Sequence, residues 1–460
     1  MEPFSERGRP LSSHASSAPG PGSPAPGPRT EVCVVGAGPA GLLLALELAK
    51  RGRQVTVVEQ SARFERSFRG EAISPDSVWL LERLGLFDRV RESTLQTRRM
   101  EVCDGGELVL QTDFSAYGLP CPYPTELPQP PLLAAIAQEG ATLPGFSLIR
   151  RTSAVELLRG RDGRVAGVRC NGPDGPVDIR ATLTVAADGR YSRMRRLAGL
   201  PHRNLPLGRD FIWFKLPRPD CWDRHMYRVS LLGGRHCVFM PTVPDQIRSG
   251  FNVPKGELRQ LRRSGIGALH RRVDELAPEL SEAVREHVAD WSATAVLDIF
   301  TTVVPRWSTP GLVLVGDAAH TLTPILGQGV NHALLDAVVL APLLAEALAR
   351  PGPPLAVDRA TAEFQRSREA SVALSRTIQL RQERAFAVSG RAGVAARKAA
   401  YRFIDRNERV KLRLMTGVFY ALQTAELRGE TRLELIRSPC PATQDTVTAD
   451  AEPATPAGNW

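Results

Sequence analysis

The sequence predicts an α/β fold: a Rossmann-like domain, interrupted by a mainly antiparallel β-sheet domain and followed by a C-terminal helical region. Three observations lead there. Residues 31–59 read as strand, glycine turn, helix and second strand. Residues 311–349 read as a late apolar strand, a loop with one Pro and two Gly, and a long apolar helix. Between them, segments within 208–243 read as strands, with sequence alternation that puts successive side chains on opposite faces. A chain of 460 residues has room for more than one such unit.

In chain order, residues 1–29 come first. They are rich in Pro, Gly and Ser and hold no apolar signal segment, so a disordered arm is expected. Glu2, Glu6 and the prolines argue against a transit peptide. EVCVV (31–35) is short and apolar, as suits a strand buried on both faces. Gly36, Gly38 and Gly41 follow in G-x-G-x-x-G spacing, with Pro39 where a first helical turn accepts it and Ala40 beside it. The first Gly permits a tight turn, the second lets backbone approach a pyrophosphate, and the third lets helix pack close to strand. The helix LLLALELAKRG then offers free N–H groups and the positive end of its dipole to phosphates. QVTVVE closes the unit with Glu59, eighteen residues after Gly41, and Gln60 comes next. An acid at this place suits a free ribose 2′-hydroxyl, as in FAD or NAD, better than a 2′-phosphate. The competing reading is a Gly-rich turn in another α/β fold; the ordered set of five features speaks against it.

The late strand GLVLVGD (311–317) ends in Gly316 and Asp317. Reaching the sheet's carboxyl edge there would bring Asp317 toward the same ligand. Gly327 and Gly329 let backbone lie flat against a planar ring, and the helix that begins near Val330 would direct its amino end at that ring, favouring negative charge on it.

Three stretches together resemble a known family. GAGPAG, then AADGRYSRMRR (186–196), then GDAAHTLTPILGQGVN match in order and spacing the motif set of single-component (class A) FAD-dependent aromatic monooxygenases of the p-hydroxybenzoate hydroxylase type, over about residues 30–385. The resemblance implies a discontinuous FAD-binding domain at 30–103, 125–200 and 305–376, a substrate domain at 104–124 and 201–304, C-terminal helices at 377–439 and a loose tail at 440–460. It nominates Gly36, Gly38, Pro39, Ala40, Gly41, Glu59 and Gln60 for the adenosine and pyrophosphate. Arg69, in FRGEAISPDSVWLLERLGL, would contact FAD, and Gln129 would meet the ribityl region. Asp188 and Gly189 match a motif associated with FAD and NADPH together; Asp188 also reads as an ordinary turn acid. Gly316 and Asp317 match the ribityl-binding acid and its glycine. Pro324 matches the proline at the flavin's reactive edge, and Gly327, Gly329, Val330 and Asn331 the donors around its pyrimidine half. His320 is expected in a structural hydrogen bond within the loop, His332 in packing, and Arg196 at the surface.

The implied activity is hydroxylation of an electron-rich aromatic, quinone or quinolone-like small molecule in secondary metabolism. NADPH or NADH reduces FAD, and O2 then adds at the flavin C4a to give an electrophilic hydroperoxide. FIWFK places Phe211, Trp213 and Lys215 on one face of a strand, and the hairpin around LLGGRH offers Tyr227 and His236. Trp213, Lys215, Tyr227 and His236 could wall the pocket or hold a phenol proton; taken singly, each also reads as packing or surface. Pro324, Lys215 and His236 are the catalytic nominees.

Two other functions stay open. A flavin-dependent reductase of an isoprenoid or other alkene would share all three motifs, and a nucleotide-fold binding protein would keep GAGPAG without flavin, which the intact Asp317 and GQG oppose. The WxWxIP motif of flavin halogenases is absent, and there is no room for an added thioredoxin-like domain.

Composition narrows the partners. Lys and Arg number 59 against 49 Asp and Glu, a net charge of +10, but aromatic residues are 6% and no nucleic-acid motif accompanies the charge. A solvated basic surface, attractive to NADPH, a phenolate or an acidic membrane surface, is expected, and no nucleic-acid partner. The seven cysteines have no CxxC spacing and the eight histidines no HExxH, so no metal and a reducing, cytoplasmic setting are expected. No uninterrupted apolar run of membrane length occurs, so no transmembrane span is expected. The basic helical stretch 377–423 reads first as a layer covering the FAD domain and second as a peripheral lipid contact. Monomer and homodimer are both open.

Overall fold

The computed structural model of the chain describes residues 25–64 and 70–428. Arg69 and the expected tail at 440–460 lie outside the described residues. The arm expected over 1–29 gives way at Ala25, where the strand Ala25–Val35 begins by pairing with Val177. That pairing gives Ala25, Pro26 and Arg29 strand partners that the composition of the segment does not announce.

The first sheet has eight strands. Along it lie Ser308–Thr309, Leu312–Leu314, Gly175–Ala186, Ala25–Val35, Val55–Val58 and Phe146–Ile149, with Val165–Gly172 and Ser153–Arg159 continuing antiparallel from Gly175–Ala186. Its centre is parallel, as crossover helices require. VTVV is buried along its whole length. Register aligns the carboxyl ends: Val35 pairs with Val58 and with Ala186, and Ala186 with Leu314. One to three residues beyond that row stand Gly36, Glu59, Asp188 and Asp317. Ligand sites of open parallel sheets lie outside this edge.

The second sheet has seven strands, in the order Ala295–Val303, Arg203–Pro217, Gln246–Pro254, Arg235–Thr242, Met226–Leu232, Arg99–Asp104 and Glu107–Asp113. All pairs are antiparallel except that between Met226–Leu232 and Arg99–Asp104. The hairpin turn falls at Gly233, whose φ of +56° is one glycine adopts readily. Alternation sends Ile212, Phe214, Cys237, Phe239 and Phe251 toward the helices Gly267–Leu276 and Ser281–His287. Phe211, Trp213, Val238 and Met240 face the other way, toward Ile325, Phe386 and Tyr401. A short sheet of Ala72–Ile73, Thr125–Glu126 and Leu95–Gln96 stands beside the two.

The helices Pro39–Lys50 and Gln328–Ala349 pack on each other within the main core. Ile325–Ala349 is apolar and long enough to cross a membrane, with a mean hydropathy of 1.7. Most of it is buried inside the protein, against the helices Pro39–Lys50 and Pro353–Ala387. The latter is one unbroken 35-residue helix and runs across the 376/377 boundary.

The C-terminal layer corrects one expectation. Rather than covering the FAD domain, Arg391–Arg406 packs on the substrate sheet. Arg397 forms a bidentate, buried ion pair with Asp104, at 2.8 and 2.9 Å. The last described helix, Ala421–Leu427, returns to the first domain, where the Asp76 carboxylate accepts from Leu422 N and Gln423 N and so caps it.

Candidate active site

The glycine turn is built by close approach. A Cβ on Gly41 would stand 2.1 Å from the Gly36 carbonyl oxygen, and one on Gly36 would stand 2.5 Å from the Ala187 carbonyl oxygen. Gly36 also has a φ of +107°. Gly38 caps Pro39–Lys50 without a side-chain hydrogen bond, and no acid sits in that helix's first turn, so its dipole is left for an anion. Glu59 is 3% exposed. Its carboxylate accepts from Ala37 N at 2.8 Å and Ser61 N at 2.9 Å, which ties the acid to the turn. Gln60 is exposed.

Asp188 accepts from Ser192 Oγ at 2.6 Å and from Met194 N at 2.9 Å, and so secures the helix Arg193–Leu197. Gly189 takes a φ of +79° in the turn between them. Arg195 is buried and donates to the Ala318 carbonyl at 2.7 Å, linking the second motif to the third. Arg196 is exposed.

Gly316 turns with a φ of +57° so closely that its Cβ would lie 3.3 Å from Ala40 and 3.5 Å from Ala333. This wedges the start of the third motif between the two long helices and delivers Asp317 beside the glycine turn. The loop after it then bends sharply: Leu326 (φ +64°) and Gly327 (φ +60°) are both left-handed, and for Leu326 that is strained backbone. Gln379, fully buried, clamps this loop by accepting from Thr323 N and donating to the Thr323 and Ile325 carbonyls. Pro324 therefore sits in a segment held from both ends, half-buried. Gly327 caps Gln328–Ala349 with no side-chain bond, and that helix's first turn also lacks an acid. Val330 lies in the same first turn. A Cβ on Gly329 would meet nothing nearer than Asp317 Oδ1 at 4.0 Å. Asn331 accepts from Ser74 N at 2.9 Å and donates to the Gly327 and Ala72 carbonyls, so its side chain joins the loop to the strand after Arg69. Gln129, 8% exposed, donates to the Gly70 carbonyl at 2.9 Å.

His320 bonds not within the loop but to Asp336, at 2.7 Å. Asp336 is fully buried and also accepts from Gly316 N and Arg368 Nε, both at 2.8 Å. Burial would raise its carboxyl, but His320 and Arg368 overcome this and hold it well below the usual carboxylate range. His332 does more than pack: its ring joins Arg368 Nη2 and Ser375 Oγ, each at 2.8 Å. Burial and Arg368 push its protonation far down.

On the substrate sheet, Phe211, Trp213 and Lys215 share a face, as their alternation requires, with Tyr227, His236, Met240 and Arg248 on neighbouring strands. Gly250 makes room there: its Cβ would stand 2.5 Å from the Trp213 ring. Lys215 Nζ bonds Glu71 at 3.1 Å. His236 lies apart from that ion pair, packed at a tilt against Phe211 and Phe386, with ring centroids at 5.2 and 4.8 Å. Among the described residues neither of its ring nitrogens has a partner, and burial pushes its protonation down to about 3, so it is neutral at physiological pH. Glu71, Glu126, Arg248, Asp336 and Gln379 were not singled out from the sequence. Each is a lone polar residue whose partner is distant in the chain.

Two uncapped helix ends, a turn only glycine fits and a buried acid tied to it form a cradle whose donors suit the phosphates, ribose and ring of FAD. Among the described residues, no three His, Cys, Asp or Glu side chains converge to hold a metal.

Comparison with known proteins agrees. The model of the FAD binding domain family matches residues 29–375. The chain is 32% identical to 6-methylpretetramide 4-monooxygenase of Streptomyces rimosus over 416 residues, 89% of this chain and 97% of that one. It is 27% identical to protoasukamycin 4-monooxygenase of Streptomyces nodosus subsp. asukaensis, over 72% of this chain and 83% of that one. The solved structure of PqsL from Pseudomonas aeruginosa, 24% identical, superposes with a TM-score of 0.70 over 80% of this chain and 99% of that one, a likeness of fold. The chain therefore belongs to the FAD binding domain family, and within it to the class A monooxygenases: it is an FAD-dependent oxidoreductase that uses NAD(P)H and O2.

Proposed function

We propose that this monooxygenase hydroxylates a fused-ring phenol or enol of polyketide type in secondary metabolism. The observation that carries the reading is the sheet face of Trp213, Met240, Tyr227, Lys215 and Arg248, turned toward the side where Ile325 and Leu326 pack. It offers aromatic and thioether surface to a flat ring system and cations to an acidic oxygen. The two Streptomyces relatives, named as 4-monooxygenases of 6-methylpretetramide and protoasukamycin, support that substrate class.

FAD, when bound, supplies passage of electrons from NAD(P)H to O2 and an electrophilic oxygen. The chain's own residues supply the rest. The turn Gly36–Gly41, with Pro39 and Ala40, takes the pyrophosphate, and Glu59 takes the ribose. Gln129 and Asp317 take the ribityl chain. Pro324, Gly327, Gly329 and Val330 flank the ring, with Asn331 holding their loop in place. Phe211, Trp213 and Met240 keep water from the reacting face. Lys215 orients substrate through its pairing with Glu71, and His236 is assigned to packing rather than to proton transfer.

The test uses holoenzyme, NADPH or NADH, isotopically labelled O2 and a panel of polycyclic phenols. Label in a hydroxylated product is the expected result. NAD(P)H oxidised against an alkene, with no label in any product, would overturn the proposal and favour a reductase.

A further inference from the structure

Lys215 and Arg248 face each other directly across neighbouring antiparallel strands. Like charges so placed repel. Glu71 stands between them, its carboxylate 3.1 Å from Lys215 Nζ and 3.9 Å from Arg248 Nη1, and it also accepts from Thr242 Oγ1 at 3.0 Å. Glu126 closes the group, 3.5 Å from Arg248 Nη2. The Arg248 guanidinium lies over the Trp213 ring, 5.1 Å from its centroid.

Such a buried quartet adds little stability over apolar side chains of the same size, so its presence asks for another account. Its position supplies one. Glu71 precedes Ala72, against which Gly327 packs so closely that a Cβ there would be 3.0 Å away. The quartet thus stands between the loop assigned to the flavin ring and the aromatic wall of the substrate sheet. Three of its side chains are 5 to 8% exposed, whereas Lys215 keeps 29% open and marks the way in.

We propose that this quartet is the site for the acidic oxygen of the substrate: Arg248 and Lys215 hold the phenolate or enolate, and Glu126 takes its proton. The substrate O–H bond breaks, its electron pair stays on the substrate oxygen, and the proton forms an O–H bond on the Glu126 carboxylate; no oxidant enters. Burial pushes the Glu126 carboxyl up to about 7, with Glu71 adding to the rise and Arg248 and Lys215 opposing it. That matches an acidic phenol, as efficient proton transfer requires. Burial, with the nearby Glu126 charge adding to it, keeps the Tyr227 hydroxyl protonated. The assignment rests on the substrate class proposed above.

Umbelliferone, a fused-ring phenol whose absorbance reports its ionisation, is the probe. Mixed with wild-type holoenzyme at a pH above the Glu126 ionisation of about 7 and below the free dye's own, it is expected to bind as the anion without net proton release, because Glu126 keeps the proton. Glu126→Gln should bind the same anion and release the proton to solvent, read by a pH indicator in unbuffered solution. Arg248→Met should weaken binding at least about tenfold, and Arg248→Lys should restore part of the loss. FAD absorbance shows that each variant is folded. Dye bound as neutral phenol, no binding by wild type, or full affinity in Arg248→Met with its FAD in place would each overturn the assignment. None of these outcomes touches the labelled-oxygen test, so the site and the activity fall separately.

Discussion

At the scale of single residues, two glycines of the cofactor cradle are glycine for different reasons. Gly41 has none of the space a side chain needs, since its Cβ would meet the Gly36 carbonyl oxygen at 2.1 Å. Gly41→Ala must therefore move the turn or lift the helix, and purified protein should be depleted of FAD and less stable. At Gly329 the nearest protein atom to a Cβ would be Asp317 Oδ1, at 4.0 Å. The protein tolerates a methyl there; the ring assigned to that surface does not. Gly329→Ala should keep the apoprotein's melting temperature within about 1 °C, as a surface change of a few tenths of a kcal/mol would, while lowering FAD content as read by the ratio of flavin to protein absorbance. Unchanged FAD in Gly329→Ala would show that the ring lies elsewhere. The spacing of these glycines was legible because each contact of the turn lies close in sequence. Glu71 and Glu126 were not, because an isolated acid carries no periodicity and their cations, Lys215 and Arg248, arrive from another sheet.

At the scale of elements, the third motif is held by a charge in the helix that follows it. Asp336 takes three hydrogen bonds, from the motif's Gly316 and His320 and from Arg368 of the next helix. Replacing it by Ala leaves a buried guanidinium uncompensated, and a loss of about 3–5 kcal/mol is expected in urea unfolding. His320→Ala removes one of three partners and should cost about 1–3 kcal/mol while FAD stays bound at low temperature. The same carboxylate sets an acid limit. Its folded-state ionisation lies below the ordinary value of 3.8, so its contribution is complete above that pH and is lost as pH falls below it. Asp336→Asn should flatten the acid limb of stability against pH, measured as the urea midpoint from pH 6 downward; a limb of unchanged slope would place the acid sensitivity elsewhere. A structural hydrogen bond was legible for the histidine of GDAAH, though within its own loop. Its partner was not, because Asp336 looks like an ordinary helix residue until Arg368, 32 positions later, is folded against it.

At the scale of the whole molecule, the Rossmann half was legible from one end of the chain to its late return, since its strands, turns and helices announce themselves locally. The placement of the C-terminal layer was not. Its basic, amphipathic helices fit several surfaces equally well by pattern, and the choice of the substrate sheet is made by Arg397 reaching Asp104, 293 residues away. That contact is bidentate and both side chains are at most 3% exposed. It is reinforced by Arg397 Nη1 donating to the Gly233, Ala385 and Val388 carbonyls, which fastens the hairpin turn and the end of the long helix together. The same long helix carries Gln379 to the Pro324 loop, so a single element spans from this fastening to the flavin side of the pocket. Arg397→Met leaves Asp104 buried and unpaired and should cost about 3–5 kcal/mol. The double variant Asp104→Leu with Arg397→Met removes both charges and should recover most of that loss, as a double-mutant cycle in urea would show. If the pair only fastens the layer, both single variants should hold FAD as the wild type does. If the helix transmits that fastening to the loop, Arg397→Met should also weaken FAD binding, and the double variant should restore it in step with stability. Recovery of stability without recovery of FAD binding would mean that the charge itself, and not the packing it directs, holds the Pro324 loop in register.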